Sequence, residues 1–177
     1  GILRVGACVT PLSSMASSDA LRKMLADCGA PVIFVAAQYL DLVQDFIFDL
    51  EIKCFAIDFV NQEFEDYEKA LAGSAITDPM VPIKMDDPFN LIYSSGTTGI
   101  PKGIVQSHLM RAVQMERVSP NGYDDFARTL ISTPLYSNTT IVSFVPTLFG
   151  GSTIHLMPKF DARAYLRIVQ REKITHT

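Results

Sequence analysis

From one end to the other, the chain alternates between two periods. Short apolar runs with the character of strands are followed by segments whose apolar residues recur every three or four positions, as on one face of a helix. Residues 8–10 read as a short strand ending at Pro11. Ser17 or Ser18 is placed to cap a helix in which Leu21, Met24, Leu25 and Cys28 share a face, and Gly29 is placed to stop it. Residues 31–35 read as a buried strand, and 39–50 as an amphipathic helix with Leu40, Val43, Phe46 and Ile47 on one side. A strand over 53–59 and an acidic, solvated helix over 61–71 follow. Residues 76–88, with Pro79, Pro82 and Pro88, read as a linker.

The second half repeats the alternation. Strands are expected at 89–93 and 103–107, a helix over His108–Val118, and a turn at 119–122. A strand over 129–132 leads to a helix over 137–149, which Pro146 should kink. A strand at 153–157, a helix over 161–172 that Asp161 can cap, and the start of a strand at 174–177 complete the pattern. Strands joined by helical crossovers imply an α/β fold of mostly parallel sheets with helices on both faces. Residues 1–6 read as the last turns of a helix, so the chain reads as a fragment that starts inside an element.

Composition narrows the function classes. Hydrophobic residues make up 48% of the chain and the mean hydropathy is +0.21, high for a free-standing domain, so either the core is large or some apolar surface is expected to meet a partner. The net charge of −4 is spread out without a basic stripe, which argues against nucleic acid. No apolar run reaches the roughly 18 residues of a transmembrane helix. Cys8, Cys28 and Cys54 are scattered and form no C-x-x-C pair, and His108, His155 and His176 lie far from paired ligands. Reduced thiols, a cytoplasmic setting and no metal held by the protein are the expectations.

One segment carries the chemistry. Residues 93–103 read YSSGTTGIPKG between two expected strands. Gly96, Gly99 and Gly103 let backbone approach a ligand closely, and free amides in such a turn form an anion-binding nest. Ser94, Ser95, Thr97 and Thr98 add neutral donors, and Lys102 adds a full positive charge. The segment is not a Walker loop: Pro101 stands where that motif needs glycine, and Gly103 follows the lysine where it needs a hydroxyl.

YSSGTTGIPKGIVQSH resembles the signature loop of the adenylate-forming, AMP-binding enzyme superfamily, which includes acyl-CoA and aryl-CoA synthetases, peptide-synthetase adenylation domains and beetle luciferases. Gly6-Ala7-Cys8-Val9-Thr10-Pro11-Leu12 and Thr133-Pro134-Leu135-Tyr136 resemble further segments of that superfamily, so the similarity runs along the whole chain. The resemblance implies three-layer αβα lobes of the acetyl-CoA synthetase-like N-terminal domain. Residues 1–118 would form a first lobe carrying the phosphate loop, and 119–177 the start of a second lobe on the acyl-pocket side.

It also implies an AMP-forming acid–CoA ligase in a full-length parent, with ATP, Mg2+ and coenzyme A beside a fatty or aryl carboxylic acid. Ser94, Ser95, Gly96, Thr97, Thr98, Gly99 and Lys102 would hold phosphate, with Thr97, Thr98 and Lys102 acting in catalysis. Tyr136 and Ser137 would line the acid's pocket, and His108 would cap or pack rather than react. Many acyl-CoA synthetases have histidine at the position of Ser137, which leaves the acid class open. The superfamily's later motifs, for adenosine and for a catalytic lysine, do not occur among these residues, so the fragment alone is expected to be inactive. The implied partners are these small molecules and the rest of the parent, with room for a homo-oligomer. An amino-acid adenylation domain loading a carrier-protein thiol and a non-catalytic nucleotide-binding module remain the alternatives.

Overall fold

The computed structural model describes residues 1–94 and 101–177. They divide into two compact units: Gly1–Pro82 with Tyr93–Ile104, and Ile83–Ile92 with Val105–Thr177.

The first unit opens with a 3-10 turn, Ile2–Val5, closed by Gly6 in the left-handed conformation at φ 73°. Helix α1, Ser18–Cys28, starts where Ser17 Oγ accepts the Ala20 amide and stops at Gly29, with φ 58°. Its buried face is Leu21, Met24 and Leu25. Strands β1 (Val32–Val35), β2 (Lys53–Ala56) and β3 (Glu65–Asp66) form a parallel sheet in that order. Val35 is the buried residue of β1, and Phe34 is exposed on the other face, so the strand is half-buried where full burial was expected. Phe34 stacks on Phe55 and meets Tyr67 edge-on, which shields its ring without a second layer of core.

Residues 37–50 put the expected face inward in a different way. Val43, Phe46 and Ile47 are buried and Leu40 packs against the same cluster, but the backbone is two 3-10 pieces, Ala37–Leu42 and Ile47–Leu50. A run of apolar residues at three-to-four spacing satisfies either winding, and packing decides between them. The acidic segment is also shorter as a helix than its periodicity predicts. Asp66 Oδ1 accepts the Lys69 amide and so sets the start of α2 at Tyr67–Ala72.

Strands β4 (Pro88–Ser94) and β5 (Lys102–Ser107) pair with each other, and α3 is His108–Val118. Ser107 Oγ accepts the Met110 amide, so the residue before the helix caps it. In the second unit β6 (Arg128–Ile131) pairs in parallel with β7 (Thr153–Leu156), and α4 (Asn138–Phe149) is the crossover. Pro146 lies inside α4 and is buried. Helix α5, Ala162–Glu172, begins where Asp161 Oδ1 accepts the Ala164 amide at 2.7 Å. The chain then returns to the free side of β6, with a parallel bridge from Thr129 to His176 and the Leu130 amide donating to His176 O at 2.9 Å.

Candidate functional site

Strands β4 and β5 are the two walls of the expected phosphate loop. Ser94 is the last residue of β4 and Lys102 the first of β5, and both are exposed. Ser95, Gly96, Thr97, Thr98 and Gly99 lie outside the described residues. Next to Ser94, the Tyr93 hydroxyl is directed at Asp27 Oδ2, 2.6 Å away, and at Met24 O, 3.0 Å away, in the last turns of α1. Burial and the hydrogen bond to Asp27 raise its pKa well above the usual phenol range, so it stays a neutral donor.

At the other end of the same strands stands a buried cation. Arg111, the fourth residue of α3, is 1% exposed and meets no carboxylate among the described residues. Instead its Nε donates to Asn90 Oδ1 at 3.0 Å and its guanidinium nitrogens donate to Gln114 Oε1 at 2.7 Å, Asn138 Oδ1 at 3.0 Å and Gln106 Oε1. The Phe89 ring lies 6.0 Å from the guanidinium carbon. A buried charge without a counter-ion demands this many strong acceptors, because each unsatisfied N–H would carry the full desolvation penalty. Burial lowers the arginine's pKa from its ordinary value. The cluster thereby ties β4, β5 and α3 to the first residue of α4.

That first residue adjoins the expected acid-binding pair. Tyr136 and Ser137 are half-buried, and Ser137 is the N-cap of α4 although its side chain accepts no cap hydrogen bond. The turn is held from behind: Thr140 Oγ1 donates to Pro134 O at 2.7 Å and meets Thr133 Oγ1 at 2.6 Å. Farther along α4, Thr147 Oγ1 shares its contacts between Ser143 O and Thr129 Oγ1, which fastens the helix to β6.

His108 packs edge-on against Phe89, with ring centres 5.1 Å apart, and its Nε2 is buried without a partner among the described residues. This is a packing environment, and no serine–histidine–carboxylate arrangement surrounds it among those residues. The three cysteines are free thiols, and burial raises the pKa values of Cys8 and Cys54. Among the described residues no three His, Cys, Asp or Glu side chains gather in a way that could hold a metal ion. A shallow groove of about 540 Å3 beside α3 is lined by Ala112, Met115, Glu116, Pro120 and Phe149 and lacks converging polar groups.

The loop and the α4 turn were visible in the sequence as candidate sites, and the Arg111 cluster was not. One signal for it was present: Asn90 interrupts an otherwise apolar strand, and a polar residue in that setting needs a partner.

The AMP-binding enzyme family matches residues 1–177. 4-Coumarate–CoA ligase 1 of Petroselinum crispum is 32% identical over 176 residues, covering 96% of this chain and 32% of the relative. Indoleacetate–CoA ligase of Aromatoleum aromaticum is 32% identical over 189 residues, covering 98% of this chain and 35% of the relative. The chain thus spans about a third of the length of these curated relatives. Among solved structures, the anthranilate–CoA ligase AuaEII in complex with anthranoyl-AMP superimposes with a TM-score of 0.86 at 21% identity, over 98% of this chain and 35% of that one. The N-terminal domain of FACL13 from Mycobacterium tuberculosis gives 0.82 at 22% identity, over 97% of this chain and 43% of that one. At that identity the structures speak for the fold, which is that of acetyl-CoA synthetase-like N-terminal domains. Together with the match along its full length, this shows that the chain belongs to the AMP-binding enzyme family.

Proposed function

We propose that this chain is the phosphate-loop part of an AMP-forming acid–CoA ligase. The observation that carries the reading is the segment YSSGTTGIPKG held between the paired strands β4 and β5, in a chain that matches the family from end to end. In the proposed first half-reaction, an oxygen of the acid's carboxylate attacks the α-phosphorus of ATP, and the bond to pyrophosphate breaks. In the second, the sulfur of coenzyme A attacks the acyl carbon and AMP leaves with the bonding electrons.

The loop serves the first step. Pyrophosphate gathers negative charge as it leaves, and the loop's amides, the Thr97 and Thr98 hydroxyls and the Lys102 ammonium lower that cost in this reading. In this reading Mg2+ enters with the nucleotide as part of the substrate, bound to its phosphates. Tyr136 and Ser137 form part of the acid's pocket. Residues 1–118 serve as the phosphate-loop lobe and 119–177 as the start of the acyl-side lobe, a division by role that differs from the division by contacts. The enzyme works in the cytoplasm. Among the described residues no helix is long and apolar enough to cross a membrane.

The test is kinetic. In the full-length protein, Thr98→Ala or Lys102→Ala should slow adenylation about 10²–10³-fold and slow thioester formation from a supplied acyl-adenylate much less. Equal slowing of both steps would remove the loop from its assigned role. The 177 residues alone should release no pyrophosphate above background from ATP, a carboxylic acid and coenzyme A.

A further inference from the structure

The amides around Arg111 have only one way to face. A guanidinium carries donors and no acceptor, so every amide it meets must present oxygen. Asn90 Oδ1, Gln106 Oε1, Gln114 Oε1 and Asn138 Oδ1 all do so. That fixes the nitrogens as well. Asn90 Nδ2 donates to Gln106 Oε1 at 2.8 Å, and Gln106 Nε2 donates to Asn138 Oδ1 at 3.1 Å. The chain of donors runs out at Asn138, whose Nδ2 meets no acceptor among the described residues. Asn138 is exposed, and it follows Tyr136 and Ser137 directly in sequence.

Such a chain is polarised from one end by a buried positive charge, which strengthens each successive donor. The amide of Asn138 cannot flip to offer oxygen without setting a nitrogen against the guanidinium. Its outer end is therefore a donor and never an acceptor.

We infer that Asn138 Nδ2 is a specificity-determining donor for the acid substrate, that this acid bears a hydrogen-bond-accepting oxygen in addition to its reacting carboxylate, and that Arg111 is the positioning residue that holds the donor outward. The inference rests on the ligase reading, in which Tyr136 and Ser137 line the acid's pocket. A plain hydrocarbon tail would leave the donor without its partner on displacing water, and sites built to hydrogen-bond a substrate discriminate strongly against analogues that lack the group.

The experiment compares acids that differ by one oxygen in the full-length protein: benzoate with para-hydroxybenzoate, cinnamate with para-hydroxycinnamate, and octanoate with omega-hydroxyoctanoate. Acid-dependent pyrophosphate release gives kcat/KM for each. The wild type should prefer the oxygenated member of at least one pair, and Asn138→Leu should cut that preference about tenfold or more while the KM for ATP holds. Arg111→Gln should lower the same ratio, Arg111→Lys should restore part of it, and the double variant with Asn138→Leu should fall no further. If Arg111→Gln fails to fold, Asn138→Leu decides alone. A wild type that prefers the plain acid in every pair would overturn the inference. So would an Asn138→Leu variant that slows both members of a pair equally or moves the KM for ATP instead. A wild type that adenylates no acid at all overturns the ligase reading and the inference with it, whereas activity with an unmoved ratio overturns the inference only.

Discussion

The Tyr93 hydroxyl lies 2.6 Å from Asp27 Oδ2, so the strand that leads into the loop is tied, two residues before residue 95, to the last turn of α1. The phenol must stay protonated for this contact, and its raised pKa says that it does. A raised folded value means that the stabilisation is complete below the ordinary phenol pKa of about 10 and is lost as pH rises through the folded value. Tyr93 should ionise above the ordinary phenol range in a titration followed by phenolate absorbance. Tyr93→Phe should delete that step and lower stability by about 1 kcal/mol. A titration curve unchanged at its alkaline end would show that the contact does not form.

Acid should loosen three separate places. Asp66 is held below the usual carboxylate range first by the Lys69 amide, Asp78 first by the Met80 amide, and Glu172 first by its hydrogen bond from Arg171. Depressed folded values contribute stability above the unfolded pKa values of about 4, and that stability is lost as pH falls through the folded ones. Thermal midpoints should therefore fall on acidification below about pH 4, and Asp66→Asn, Asp78→Asn and Glu172→Gln should each make that fall shallower. Variants with an acid limb as steep as the parent's would contradict the assignment.

Gly150 ends α4 with an ordinary backbone conformation, at φ −75°, yet an added Cβ would run into the Tyr123 carbonyl. The Tyr123 carbonyl is main chain and cannot swing aside as the far end of a flexible side chain could. Gly150→Ala should cost about 1–3 kcal/mol, as overpacking does. Gly29→Ala meets no neighbour and is penalised only by its positive φ, by about 1 kcal/mol. Chemical denaturation of the two variants should rank them in that order.

Asp161→Ala removes the acceptor of the Ala164 amide at the head of α5 and should cost about 1 kcal/mol. Ser17→Ala, at the head of α1, should cost a similar amount or less, since its bond to Ala20 is longer at 3.3 Å. The two caps share no partner, so the double variant should show the sum.

These caps were legible in the sequence because a cap is a local device: one side chain and an amide three residues on. Strands β4 to β7 and helices α3 to α5 were legible for a related reason, since each has a clear period and clear ends. Residues 37–50 were legible only in part. Val43, Phe46 and Ile47 announce a buried face, but the choice between α and 3-10 winding depends on how that face fits the sheet beside it. The start of α2 was misplaced because Asp66 wins the role of cap over earlier acidic residues, and acidic composition alone does not say which. At the site, the loop and the Tyr136–Ser137 turn stand out as short motifs. The Arg111 cluster draws its acceptors from residues 90, 106, 114 and 138, and no window along the sequence holds them together.

The bridge from Thr129 to His176 has a consequence for truncation. β6 has β7 on one side and the segment around His176 on the other, and Arg128 O accepts amides from Thr175 and His176. A chain trimmed before Ile174 would bare that second side, leaving the Leu130 amide and the Arg128 carbonyl as the open margin of a sheet. Such a margin recruits whatever extended backbone is nearest, most often that of another copy. Solubility should therefore drop sharply at that cut, while removing residues from the opposite terminus, ahead of Ser17, leaves β6 covered.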